Sequence, residues 1–164
     1  METRIIDNET MMETVRQFIM EGRSVEIRCK GNSMNPFIVS GRDSICLRPF
    51  DTSELVPGAV ILGRDVHKRY IVHRIAEVRD GYVLLNGDGN GVRTRERIND
   101  DDVIAVADGF IVKGEKVSTE SRRWKAYSRV WNLMSRISVG NWSLRRIYLG
   151  FWRRLHPGYI LHVS

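Results

Sequence analysis

Apolar residues recur at steps of three and four over residues 10–20, at Met11, Met12, Val15, Phe18 and Ile19. That stripe predicts an amphipathic helix, and Gly22 supplies its stop. From residue 25 the period changes. Short alternating or continuous apolar runs at 25–29, 44–48, 59–62, 70–78, 82–86 and 103–112 are separated by turn formers such as Pro57-Gly58, Asp80-Gly81 and Gly87-Asp88-Gly89-Asn90. These predict an all-β body, with a hairpin at Arg79-Asp80-Gly81. Helical spacing returns at Trp124, Tyr127, Val130, Trp131, Met134 and Ile137, breaks at Gly140-Asn141, and resumes over 143–155. In that last segment Leu144, Ile147, Tyr148, Phe151 and Leu155 alternate with Arg145, Arg146, Arg153 and Arg154, and Ser143 or Asn141 can cap it. No repeat of 20–50 residues appears, which disfavours solenoids and propellers.

The length of 164 residues fits one domain, or one domain with an extension, and 42% apolar and 28% charged residues are those of a globular chain. No apolar run approaches the roughly 18 residues of a membrane-spanning helix. The first residues are acidic where an export signal would be basic, so the expected compartment is the cytoplasm. Cys29 and Cys46 allow at most one disulfide, and their spacing fits neither a zinc site nor a redox pair; they read as buried thiols. No metal or other cofactor is implied.

The net charge of +6 is unevenly distributed. Residues 121–164 hold nine basic residues and no acidic one, which leaves 17 basic against 20 acidic residues in 1–120, a balance of −3. All four tryptophans also lie in the basic tail. The chain is therefore divided into a helical lead-in at 1–24, a β domain at 25–119 and a basic aromatic helical tail at 120–164.

Two segments could carry chemistry. Gly31-Asn32-Ser33-Met34-Asn35-Pro36-Phe37 sets a serine between a glycine and a proline, a turn that suits a fixed nucleophile as well as an ordinary hydrogen-bonded serine. His73 lies in the run 70–78, and an imidazole can accept a serine proton near neutral pH. Together with Gly87-Asp88-Gly89-Asn90 they form an ordered set. It resembles the superfamily of serine peptidases that contains LexA and the type I signal peptidases. Residues 31–36 resemble its Ser-Met-x-Pro motif, 41–47 and 56–61 its next turns and strands, 71–75 its base-bearing strand, 87–90 its Gly-Asp signature, and 103–110 its closing strand. About 85 residues, from 25 to 112, are covered.

The resemblance implies a mixed β-fold in which Ser33 is the nucleophile and His73 the general base, as in the histidine-base branch. Lys68 and Lys113 are the fallback bases, and His67 reads as part of a solvated turn. Backbone N–H groups of Ser33 and Gly31 would form the oxyanion hole, because Gly31 stands where many signal peptidases carry a Ser or Thr. Met34 and Pro36 would contact substrate. That branch also has an orienting aspartate after its Gly-Asp turn, where this chain has Val92-Arg93-Thr94. Asp88 is the nearest substitute, with a local turn role as its alternative; Asp100, Asp101 and Asp102 are remoter.

The expected activity is that of a serine endopeptidase acting on an extended peptide or precursor segment bound as an added strand. A LexA-like repressor is disfavoured, because the N-terminal helix is too short for a DNA-binding domain and no Ala-Gly dipeptide is present. In the tail, Trp124, Trp131, Arg145, Arg146 and Trp152 suit an anionic membrane surface, which would make the protein peripheral on the inner membrane face. The alternative is a helical hairpin packed on the β body or on a partner. Nucleic-acid binding is disfavoured because no recognition fold accompanies the charge. Two rival functions stand beside the enzyme: a catalytically silent binding module of the same fold, and a membrane- or RNA-associated protein acting through its tail.

Overall fold

The computed structural model describes residues 8–31, 33–90 and 95–137. Helix α1 (Asn8–Met20) buries Met12, Val15 and Ile19 on one side. It ends where Gly22, at φ +79°, lets its own N–H reach the Ile19 carbonyl and that of Arg23 the Phe18 carbonyl. Those two bonds form a Schellman motif, which needs a residue tolerant of positive φ. The Arg23 guanidinium then lies 4.1 Å from the centre of the Phe18 ring.

Eight strands follow among the described residues: β1 (Val25–Arg28), β2 (Ser44–Arg48), β3 (Val60–Arg64), β4 (Tyr70–Arg79), β5 (Tyr82–Asn86), β6 (Glu96–Asn99), β7 (Val103–Val112) and β8 (Glu115–Ser118). They form one antiparallel sheet in the order β1-β2-β7-β3-β4-β5-β6, curled into a half-barrel. The fold is mainly β with a helix at each end, as the periodicity predicted. The Asp80-Gly81 hairpin joins β4 to β5 with Arg79 opposite Tyr82. Strand β7 is long enough to serve three partners. One edge pairs with β2, while the other pairs with β3 through Val103–Val106 and with β8 through Gly109–Val112.

Strands with continuous apolar runs are buried on both faces. In β3, Val60 and Leu62 join a cluster under the two helices, whereas Ile61 joins a second cluster with Ile75, Val83, Leu85 and Ile98. Helix α2 (Arg122–Ile137) closes the first cluster. Its Trp124, Tyr127 and Trp131 are buried, and the Trp124 ring lies 4.9 Å from Phe37 and 4.4 Å from Phe110. The compositional break near residue 119 is thus not a break in packing: the aromatic stripe of α2 completes the core of the β body. Trp124 and Trp131 are core side chains and not a membrane-facing surface, because burying an indole against other rings removes more apolar area from water than leaving it at an interface. Residues 143–155, with Arg145, Arg146 and Trp152, lie outside the described residues.

Candidate active site

Ser33 lies in the connection between β1 and β2. Met34, Phe37 and Ile38 hold that connection by burying their side chains in the first cluster, while the Ile38 N–H bonds to the Met34 carbonyl. Its far end is fixed by Asp43, whose buried carboxylate accepts the Val39 N–H at 2.8 Å, the Lys113 N–H at 3.1 Å and the Arg42 guanidinium at 2.7 Å. The closing bonds run from the Cys29 N–H to the Asp43 carbonyl and from the Gly41 N–H to the Cys29 carbonyl. A serine there sits on fixed backbone.

His73 comes from the middle of β4 and is 6% exposed. Its Nδ1 lies 3.1 Å from Oε2 of Glu96, the first residue of β6. A carboxylate only accepts, so Nδ1 is the donor in this bond, and Nε2 is left on the opposite side of the ring. Strand register explains the pairing. Ile75, Leu85 and Glu96 are consecutive partners across β4, β5 and β6, which sets all three on one face, and His73, two residues from Ile75, shares it.

Ser33 and His73 meet at the Gly87–Asn90 turn. The Gly89 N–H donates to the Ser33 carbonyl at 2.7 Å. A Cβ on Gly87 would stand 2.5 Å from that carbonyl oxygen and 2.9 Å from His73 Nε2. The two groups are neighbours across a glycine that has no room for a side chain. Among the described residues no hydrogen bond joins the Ser33 hydroxyl to the imidazole; catalytic contacts of this kind commonly tighten only around substrate. Ser33, His73 and Glu96 line one cleft of about 400 Å³, whose floor includes Met34, Ile45 and Leu62. Ile27, Cys29 and Gly31, along the edge strand β1 and just beyond it, line it as well. The Cys29 thiol is pushed up to about 12 by burial and by the Asp43 carboxylate, so it stays protonated at neutral pH. Cys29 and Cys46 are both free and half-buried.

Several candidates stand elsewhere. The carboxylate on His73 is Glu96 and not Asp88. Asp88 faces Arg74, accepting its Nε at 2.8 Å and its Nη2 at 2.7 Å, and also accepts the Tyr127 hydroxyl at 2.8 Å. Burial works against the Arg74 charge, but the Asp88 carboxylate outweighs it and keeps the guanidinium charged beyond its ordinary range. Gly31 is no free donor for an oxyanion, since its N–H bonds to Ser40 Oγ at 3.0 Å; the Ser33 N–H donates to none of the described residues. Met34 lines the cleft, but Pro36 is buried within the connection and does not. Lys68 and Lys113 are exposed at hairpin turns with positive φ, and neither lines the cleft. His67 is exposed at the same tip as Lys68, its N–H held by Asp65 at 2.9 Å. Asp100, Asp101 and Asp102 form a single 3-10 turn before β7, away from the cleft.

Sequence reasoning missed Glu96 because it looked for an aspartate at 92–94. The available signal was the sparse alternation of Glu96-Arg97-Ile98-Asn99, a strand that returns a carboxylate towards β4. No protein family, no curated protein and no solved structure matches the chain.

Proposed function

We propose that the protein is a serine endopeptidase resembling the LexA and signal-peptidase superfamily, with Ser33 as nucleophile, His73 as general base and Glu96 as the group that orients it. One observation carries this reading: a buried histidine bonded through Nδ1 to a carboxylate presents Nε2, across Gly87, to the segment bearing Ser33 in a shared cleft. The order of the Ser-Met-x-Pro, His-Arg and Gly-Asp segments adds to it.

In this mechanism Ser33 Oγ attacks the scissile carbonyl as its proton passes to Nε2, and Glu96 stabilises the imidazolium that forms. The Ser33 N–H faces the developing oxyanion. Collapse breaks the C–N bond, Nε2 returns the proton to the leaving amine, and water then hydrolyses the acyl-enzyme by the same base. The substrate lies extended along the open edge of β1, adding a strand whose alternate side chains enter the apolar floor.

The test is labelling of the full-length chain by a fluorophosphonate, read by intact mass. The wild type should be labelled once, Ser33→Ala not at all, His73→Ala at least about a hundredfold more slowly, and Glu96→Gln about tenfold or more below wild type. The rival reading, a silent binding module, is favoured by the missing Ser33–His73 hydrogen bond. It predicts no labelling of the wild type between pH 7 and 8.

A further inference from the structure

The proposed chemistry leaves unexplained a polar cluster in which nearly every group is buried. Arg74 follows the histidine and points to the other face of β4. Besides its two bonds to Asp88, its Nη1 donates to the Gly58 carbonyl at 3.0 Å and to Ser128 Oγ at 2.6 Å. The Trp124 ring stands 4.8 Å from the guanidinium carbon. Two of these partners, Trp124 and Ser128, belong to α2, as does Tyr127, which bonds Asp88. Asp88 is the residue between Gly87, where any Cβ would meet both Ser33 and His73, and Gly89, whose N–H bonds the Ser33 carbonyl.

A buried ion pair adds little net stability over an apolar substitute, but it fixes geometry where every donor is satisfied. Here it fixes a turn rather than a surface. Tyr127 holds Oδ2 of Asp88 and Ser128 holds Nη1 of Arg74, so α2 grips both members of the pair. The pair in turn leaves the Gly87–Asn90 turn one position. We infer that Tyr127 and Ser128 are positioning residues for the peptidase chemistry: the first turns of the basic tail set the distance between the Ser33 segment and His73 through Asp88 and Arg74. This rests on the reading given above, and it makes helix α2 part of the active-site support as well as of the core.

The experiment compares wild type, Tyr127→Phe and Ser128→Ala in the full-length chain. It measures the fluorophosphonate labelling rate, well below each thermal midpoint, together with the backbone amide resonances. Tyr127→Phe keeps the ring in the aromatic cluster and removes only the hydroxyl. Expected is labelling slowed about tenfold for Tyr127→Phe and about threefold for Ser128→Ala, with the Gly89 amide shifted and the β1 and β2 amides unmoved. A general loss of stability would not move Gly89 selectively. If the wild type is labelled and both variants react at its rate with Gly89 unmoved, the positioning role is wrong and the peptidase reading stands. If the wild type takes no label, the peptidase reading fails and takes this inference with it. Should Tyr127→Phe fail to fold, Ser128→Ala decides, because its hydroxyl lies at the edge of the cluster.

Discussion

Gly87 shows how much one missing atom can carry. Its backbone stands where a methyl group would press on the Ser33 carbonyl at 2.5 Å and on His73 Nε2 at 2.9 Å. The carbonyl is main chain and cannot swing aside, so Gly87→Ala must move the Ser33 segment or the turn. The expected result is a folded protein destabilised by about 1–3 kcal/mol, as for other overpacked sites. Its labelling rate should fall about a hundredfold, as follows from a displacement near 1 Å between reacting groups. Urea unfolding and labelling kinetics on one preparation check both, and an unimpaired rate would show that the close approach does not matter. Ser33 and His73 were legible because each sits in a short motif with recognisable neighbours. Glu96 was not, since its bond to His73 arises from a register two strands away.

At the scale of elements, local rules did well where an element owns its signal. The strands at 44–48, 82–86 and 103–112 match prediction to the residue, and α1 differs only by starting at Asn8. Strands β6 and β8 were not foreseen. Each has four residues and one buried apolar side chain, Ile98 or Val117, so alternation has almost nothing to register; a neighbouring edge that needs pairing makes them strands. The 3-10 turn at Thr52–Glu54 carries its own signature, a capping box in which Asp51 accepts the Ser53 N–H and Glu54 the Asp51 N–H. Hydrogen bonds from the Arg48 side chain, then from the Asp51 N–H, hold the Glu54 carboxyl down at about 2, against an ordinary value of 4.5. A lowered pKa means that the folded state prefers the ionised form. The stability it confers is therefore complete above about pH 4.5 and is lost as pH falls towards 2. Glu54→Gln should accordingly be less stable than wild type in urea at pH 7, and the gap should narrow steadily below pH 4.5. A gap that stays constant with pH would disprove the assignment.

Across the described residues of the whole molecule, helix α2 and the β body share one interior. Trp124, Tyr127 and Trp131 are 5%, 1% and 3% exposed; Trp124 meets Phe37, which anchors the Ser33 connection, and Phe110 of β7, Tyr127 meets Phe37, and Trp131 stacks on Tyr127. A chain ending at residue 119 would lose three rings, each worth about 3–5 kcal/mol when truncated in a core, a total comparable to the stability of a domain of this size. It should show no cooperative thermal transition and bind a hydrophobic dye; a sharp transition near that of the full chain would contradict the shared core. What the sequence determined alone is what depends on near neighbours: the two helical stripes of α1 and α2, the strands with strong alternation and the Gly-Asp hairpin; it offered the serine and histidine as candidates in their motifs. What only the tertiary structure decided depends on distant ones. It chose Glu96 over Asp88 for His73, bonded the Gly31 N–H to Ser40, set β7 between β2 and β3, and turned the aromatic stripe of α2 inward. Periodicity says which face of an element is apolar, but the surface that covers it, and the carboxylate that reaches an imidazole, are fixed by chain segments 20 to 90 residues apart, where local pattern holds no information.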